Sequence, residues 1–158
     1  MHTAARDANL LGALGTVISD ALADAAELGG GSSPAAALVA LHGTSAGGTI
    51  DALAGRIGLS HSGAVRLVDR LERDGLVERR RGADQRSAAL VLTPQGRRAV
   101  RRVLSRRDAN LQVLLGLLTD DQRAVALELV ETLLAGVGRD EGAEPRVCRL
   151  CDLEACGR

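Results

Sequence analysis

Phenylalanine, tyrosine and tryptophan are all absent from these 158 residues, and so is lysine: every one of the twenty positive side chains is arginine. A core without rings must gain its buried area from many small contacts among leucine, valine and alanine. A pocket that held an aromatic ligand by stacking would have no ring to offer. The absence of lysine fits a coding bias toward GC-rich codons, and it leaves the planar arginine fork, well suited to phosphate, as the only fixed cation. Cysteine does not occur before Cys148, which excludes a disulfide framework for the body of the chain. No apolar run exceeds Ala35 to Leu41, far too short to cross a bilayer. The start of the chain lacks the basic cluster and apolar stretch of a signal peptide, so the expected location is the cytoplasm, with thiols reduced. No internal repeat is visible.

What the chain does have is 46% hydrophobic residues, enough for one globular core, and a formal net charge of zero that hides a strong asymmetry. Residues 56 to 107 carry fourteen arginines against five acids, a balance of +9. Residues 1 to 55 stand at −4 and residues 108 to 158 at −5. A cationic middle between acidic flanks is the footprint expected of a lobe that meets a polyanion.

That middle contains the stretch from Thr49 to Thr93. Thr49 is a good N-cap, Leu53, Ala54 and Ile57 share one helical face, and Gly58 can take the left-handed conformation that stops a helix. Leu59 re-enters the core and Ser60 caps a second helix. There Ala64, Leu67, Val68 and Leu71 form an i, i+3, i+4, i+7 stripe, leaving Ser60, His61, Ser62, Arg66, Arg70 and Arg73 off it. Small polar residues at a helix start, with arginine a turn later, suit entry into a major groove, where a hydroxyl or imidazole meets a base edge and Arg66 or Arg70 grips guanine or phosphate. Gly75 is the expected C-cap. Leu76 to Arg80 and Ser87 to Leu92 read as strands around a turn at Gly82, Ala83 and Asp84, with Arg79, Arg80, Arg81 and Arg86 at the tip. Such charge density suits phosphates or a narrow minor groove.

Two short helices, a tight turn and a basic ribbon make the winged form of a helix-turn-helix. This segment resembles the DNA-binding lobe of the MarR family of bacterial regulators, whose wing carries Asp-x-Arg followed by Leu-Thr; here these are Asp84, Arg86, Leu92 and Thr93. The resemblance extends over nearly all of residues 4 to 138. It implies that Asp84 braces the wing and Arg86 enters the minor groove. It also implies a homodimer formed by the first and last helices, acting on double-stranded DNA at a pseudo-palindromic operator, by repression relieved by a small-molecule effector or by oxidation. The expected fold is mainly α with a small β-wing: an N-terminal dimerisation helix (1–33), a winged helix-turn-helix lobe (34–93), C-terminal dimerisation helices (94–138) and a cysteine-containing tail (139–158).

The flanking segments fit that order. Residues 4 to 28 carry Leu10, Leu14, Val17 and Ala21 on one line with Leu11, Ile18 and Leu22 beside it, a stripe wide enough for a second chain to cover part of it. Ser33 and Pro34 read as cap and first residue of a short buried helix. Thr93 and Pro94 repeat that start for a long helix whose arginines 97 to 107 read as a solvated face with local acid partners rather than a second DNA site. Thr119, followed by Asp120 and Asp121, opens the last helix.

The tail places Cys148, Cys151 and Cys156 in C-x2-C-x4-C spacing. A C-x2-C pair can hold two thiolates on one metal, so zinc or an iron-sulfur cluster is the expected cofactor, with Asp152, Glu154, a histidine, solvent or a partner thiolate completing the set. Reducible thiols on a disordered end, or two cysteines acting as a disulfide switch, are the other readings. Ser60, His61 and Ser62 are neighbours at one helix start and cannot form a nucleophile, base and orienter, so no catalytic constellation supports an enzyme. The alternative to an operator-binding regulator is a winged-helix module that binds metal or a protein partner.

Overall fold

Six helices and one two-stranded ribbon succeed one another among the residues that this computed structural model describes, 3–44, 48–81, 88–137 and 150–152. They are α1 (Ala4–Glu27), α2 (Ser32–His42), α3 (Ile50–Ile57), α4 (His61–Arg73), β1 (Val77–Arg81), β2 (Ala88–Leu92), α5 (Pro94–Leu115) and α6 (Asp120–Val137). The architecture is the expected one, mainly α with a small β-wing. Among the described residues no helix is long and apolar enough to cross a membrane.

The lobe is built around α2. Pro34 through Leu41 are buried without interruption, so this helix has no solvent face and no amphipathic period. It touches α1, α3, α5 and β2. Leu38, Leu71, Leu90, Val68, Val77, Val100 and Val103 are the largest fully buried side chains and come from five different elements. Every one is Leu or Val, in keeping with a ring-free composition.

The start of α2 departs from expectation. The helix begins at Ser32 after Gly31, which lies at φ 106° and makes no side-chain cap; Ser33 does not cap it, and Pro34 is its third residue. Gly31 instead closes α1, its N–H donating to the Ala26 carbonyl at 3.1 Å, while its own carbonyl accepts from Ala35 N–H at 3.0 Å. Pro34 still falls in the first turn, where a missing N–H removes no helical bond.

Three other helices begin on a threonine or serine oxygen as expected. Thr49 accepts from Ala52 N–H, Ser60 from Gly63 N–H and Thr93 from Gly96 N–H. Thr119 and Gln122 cap α6 reciprocally, each side-chain oxygen accepting the other's N–H at 3.3 and 3.0 Å. The cap at the end of α4 is Asp74 rather than Gly75. Gly75 follows at φ 69°, where its N–H meets Glu72 and Leu76 N–H reaches back to Leu71, both at backbone carbonyls. That pair of bonds needs a left-handed residue, hence glycine. It also uses up the Leu76 N–H, so β1 starts one residue later than the sequence reading placed it.

β1 and β2 pair antiparallel in the register Val77↔Leu92, Arg79↔Leu90, Arg81↔Ala88. Gly48 adds a one-residue third strand, exchanging both backbone bonds with Leu90 at 3.1 and 2.8 Å. At the foot of the ribbon α5 comes unusually close. A Cβ placed on Gly96 would lie 2.0 Å from the Leu76 carbonyl oxygen, and no side-chain movement relieves a clash with backbone. Gly96→Ala should therefore cost roughly 3 kcal/mol or more. Urea titration followed by far-ultraviolet circular dichroism, at fixed protein concentration, should show a lower midpoint with the slope unchanged.

Candidate nucleic-acid interface

The α3–turn–α4 unit is held by short local contacts. Gly58 ends α3 at φ 70°, and Leu59 N–H donates to Ala54 O at 3.0 Å. Leu59 then packs on the core, and Ser60 starts α4. With Ala64, Val68 and Leu71 buried, the opposite face of α4 carries Ser62, Arg66, Asp69 and Arg73, all exposed. A helix with one face locked to the core and the other polar is able to lie along a groove.

The two acids on the outer side of α4 would repel a polyanion if left alone. They are neutralised from the wing: Arg79 bonds to Asp69 at 2.6 Å and also to Glu72. The hydrogen bond to Asp69, with the charges of Glu72 and Asp69, holds the Arg79 proton more tightly than usual despite partial burial. Arg66 and Arg73 have no ion pair among the described residues. The net result is a helix face whose negative charge is spent internally and whose positive charge is free.

Strand parity explains why Arg79 does this and Arg80 does not. Val77 and Arg79 share the face of their partners Leu92 and Leu90, toward the body, whereas Glu78 and Arg80 lie on the other face and pair with each other at 2.5 Å. Arg79 is thus not a tip residue, contrary to the sequence reading, which pooled it with its neighbours by charge alone.

The remaining predicted site residues divide as follows. Ser60, His61 and Ser62 are exposed together at the start of α4, with Ser60 Oγ 3.3 Å from Ser62 Oγ. His61 Nδ1 lies 2.6 Å from Asp51 Oδ1 on α3, a partner the sequence reading missed. Arg70 is on the flank, paired loosely with Asp74 at 3.7 Å and close to the α1–α2 turn at Gly30. Arg80 is exposed on the ribbon. Arg81 is placed in β1 by its backbone, while its side chain, Asp84 and Arg86 lie outside the described residues.

Of the cysteines, Cys151 is half-buried, and Cys148 and Cys156 lie outside the described residues. Beside Cys151, Leu150 packs against the core and its carbonyl accepts a bond from Arg107 of α5. Among the described residues, no group of three His, Cys, Asp or Glu side chains could hold a metal ion. The arginines of α5 are partly spent on partners within the chain, some local and some distant, where the sequence pointed to local acids alone. Arg106 bonds to Asp24 of α1 at 2.7 Å, Arg107 to Asp108 at 2.5 Å, and Arg97 to the Leu92 carbonyl at 2.7 Å. The Arg106 bond, with one from Asn110, holds the Asp24 carboxyl below its ordinary range.

Comparison with known proteins bears on the family and the fold. A family model described as MarR family matches residues 33–87. An uncharacterised HTH-type transcriptional regulator of Bacillus subtilis, YsmB, is 33% identical over 78 residues, which is 49% of this chain and 53% of YsmB. The chain therefore spans about half the length of that curated relative. Among solved structures, YusO of B. subtilis superposes with a TM-score of 0.72 at 25% identity, covering 85% of this chain and 99% of YusO. CouR of Rhodococcus jostii RHA1, solved with p-coumaroyl-CoA bound, gives 0.63 at 28% identity, covering 78% and 86%.

The helix-to-wing ion pairs are partly exposed, so solvent screens them and their contribution is modest. Arg79→Met should cost about 1 kcal/mol in denaturant titration. Adding Asp69→Asn to that variant should recover part of the loss, the signature of coupled charges.

Proposed function

Because the chain belongs to the MarR family of winged-helix transcription regulators, we propose that it binds a pseudo-palindromic operator as a homodimer and represses the genes beside it. The observation that carries this reading is the α4 face itself: Ser62, Arg66 and Arg73 exposed, with Asp69 and Glu72 neutralised from behind by Arg79. Arg66 would grip guanine or phosphate in the major groove, and Arg86 on the wing would enter the flanking minor groove.

Two such heads must be held about one helical turn apart, roughly 34–36 Å. The means of holding them is present in unpaired apolar surface. Leu10, Leu14 and Val17 on α1 are about half exposed, and no residue of α6 is buried, although Leu129, Val130 and Leu133 lie along it. Apolar helices left open to this extent ask for a protein cover, and a second copy of the same helices supplies one with closed two-fold symmetry.

Binding to duplex fragments should fall steeply as salt rises. Arg66→Ala and Arg86→Ala should each weaken operator binding by about tenfold to a hundredfold. A monomer that prefers no duplex even in dilute buffer would instead favour the protein-binding alternative.

For the input we look to the cysteines rather than to an aromatic ligand, since there is no ring to stack on one. Cys148, Cys151 and Cys156 in C-x2-C-x4-C spacing, with Asp152 as a further donor, fit zinc. An iron-sulfur cluster would take the three thiolates plus a fourth ligand, from Asp152, Glu154, a histidine, solvent or a thiolate of a second subunit. When bound, either group would draw the tail together beside Arg107, next to the Arg106–Asp24 link between α5 and α1. Protein purified without air should carry metal or a visible chromophore, and Cys148→Ser or Cys151→Ser should lose it and change operator affinity. Equal affinity and equal response to metal and oxidant in wild type and variants would remove the tail as an input.

A further inference from the structure

His61 opens α4, and the carboxylate 2.6 Å from its Nδ1 belongs to Asp51 in the first turn of α3. The two side chains are 65% and 81% exposed, so packing does not force them together. The contact joins the two helices of the unit at their N-terminal ends. An ionised carboxylate accepts hydrogen bonds and cannot donate, so the hydrogen between the two atoms sits on Nδ1. In a neutral imidazole this leaves Nε2 with a lone pair, an acceptor on the ring's free edge.

That edge belongs to the end of α4 which, in the reading above, meets the bases. In the major groove the donors are the exocyclic amines, adenine N6 and cytosine N4, whereas guanine and thymine present oxygen acceptors at the equivalent place. An Nε2 acceptor therefore distinguishes an amino base from a keto base. We propose that Asp51 is a positioning residue that fixes the tautomer of His61, so that His61 Nε2 reads an adenine or cytosine at one position of each half-site. This rests on the operator-binding reading and adds to it the polarity of one contact.

The roles separate cleanly by substitution. Asparagine in place of Asp51 can donate to Nδ1 as well as accept from it, so both tautomers become available. Alanine in place of His61 removes the reader altogether. Selection from randomised duplexes should be run with full-length wild type, Asp51→Asn, His61→Ala and the double variant, all in one mildly alkaline buffer. Wild type should enrich an amino base at one position per half-site. Asp51→Asn and His61→Ala should each lower that discrimination by about tenfold at the same position, the double variant should lose no more than the single ones, and the dependence on salt should stay as in wild type. Unchanged base preference in both single variants, or a uniform loss across all sequences, would overturn the inference while leaving operator binding intact. Failure of wild type to enrich any duplex would remove the operator reading, and this one with it.

Discussion

The structure turns on a knot of hydrogen bonds where three elements meet at Thr93. Its hydroxyl donates to the Gly75 carbonyl at 2.7 Å and accepts from Gly96 N–H at 3.0 Å, while its N–H reaches the Leu76 carbonyl at 3.1 Å. Gly75 closes α4, Leu76 leads into β1, and Gly96 lies in the first turn of α5. One threonine therefore fixes the end of the reading helix and the foot of the wing against the start of the long helix. Gly96 allows this by having no side chain where the Leu76 carbonyl must lie. A shift of α5 at this junction would therefore bear directly on the end of α4 and the foot of β1.

Charge is arranged by the same geometry. Arg79 reaches the α4 acids because strand parity turns it to the body side of a ribbon whose foot the knot holds. The lobe thus has two sets of charges: Arg79 links the wing to the acids of α4, while Arg66 and Arg73 on the outer face have no ion pair among the described residues. Internal pairs between partly exposed groups stabilise little, but they remove repulsion from the binding face, which matters more for a protein facing a polyanion.

Much of this was legible in the sequence because the signals were local. Thr49, Ser60, Thr93 and Thr119 each stand one residue before a helix and cap it, and Gly58 sits where a left-handed residue ends α3. The stripe Ala64, Val68 and Leu71 fixes which face of α4 is outward. What was not legible depends on distance along the chain. The start of α2 is set by Gly31 bonding back to α1 rather than by Ser33. Arg79 looked like one more tip arginine until parity and the acids of α4 are considered together. Asp51 and His61, ten residues apart, meet only because the turn between α3 and α4 has one particular shape. The α5 arginines likewise divide between Asp24, Asp108 and backbone carbonyls by tertiary placement, not by spacing.

The ring-free composition bears on how such a head could be moved. With α2 buried on all sides and the largest fully buried side chains confined to Leu and Val, the lobe interior is close-packed and transmits displacement rather than absorbing it. The long helices differ from one another: α5 packs along α1 and is tied to it by Arg106–Asp24, whereas Leu10, Leu14 and Val17 of α1 and the apolar residues of α6 stay largely uncovered within one chain. Any input acting near α1 and α5, including one at the tail that Arg107 holds by the Leu150 carbonyl, would reach the groove through α5 and the Thr93 junction. Coupling by that route requires α5 to be stiff from Arg107 back to Gly96. The buried run of Ala99, Val100, Val103 and Leu104 against the core supplies that stiffness.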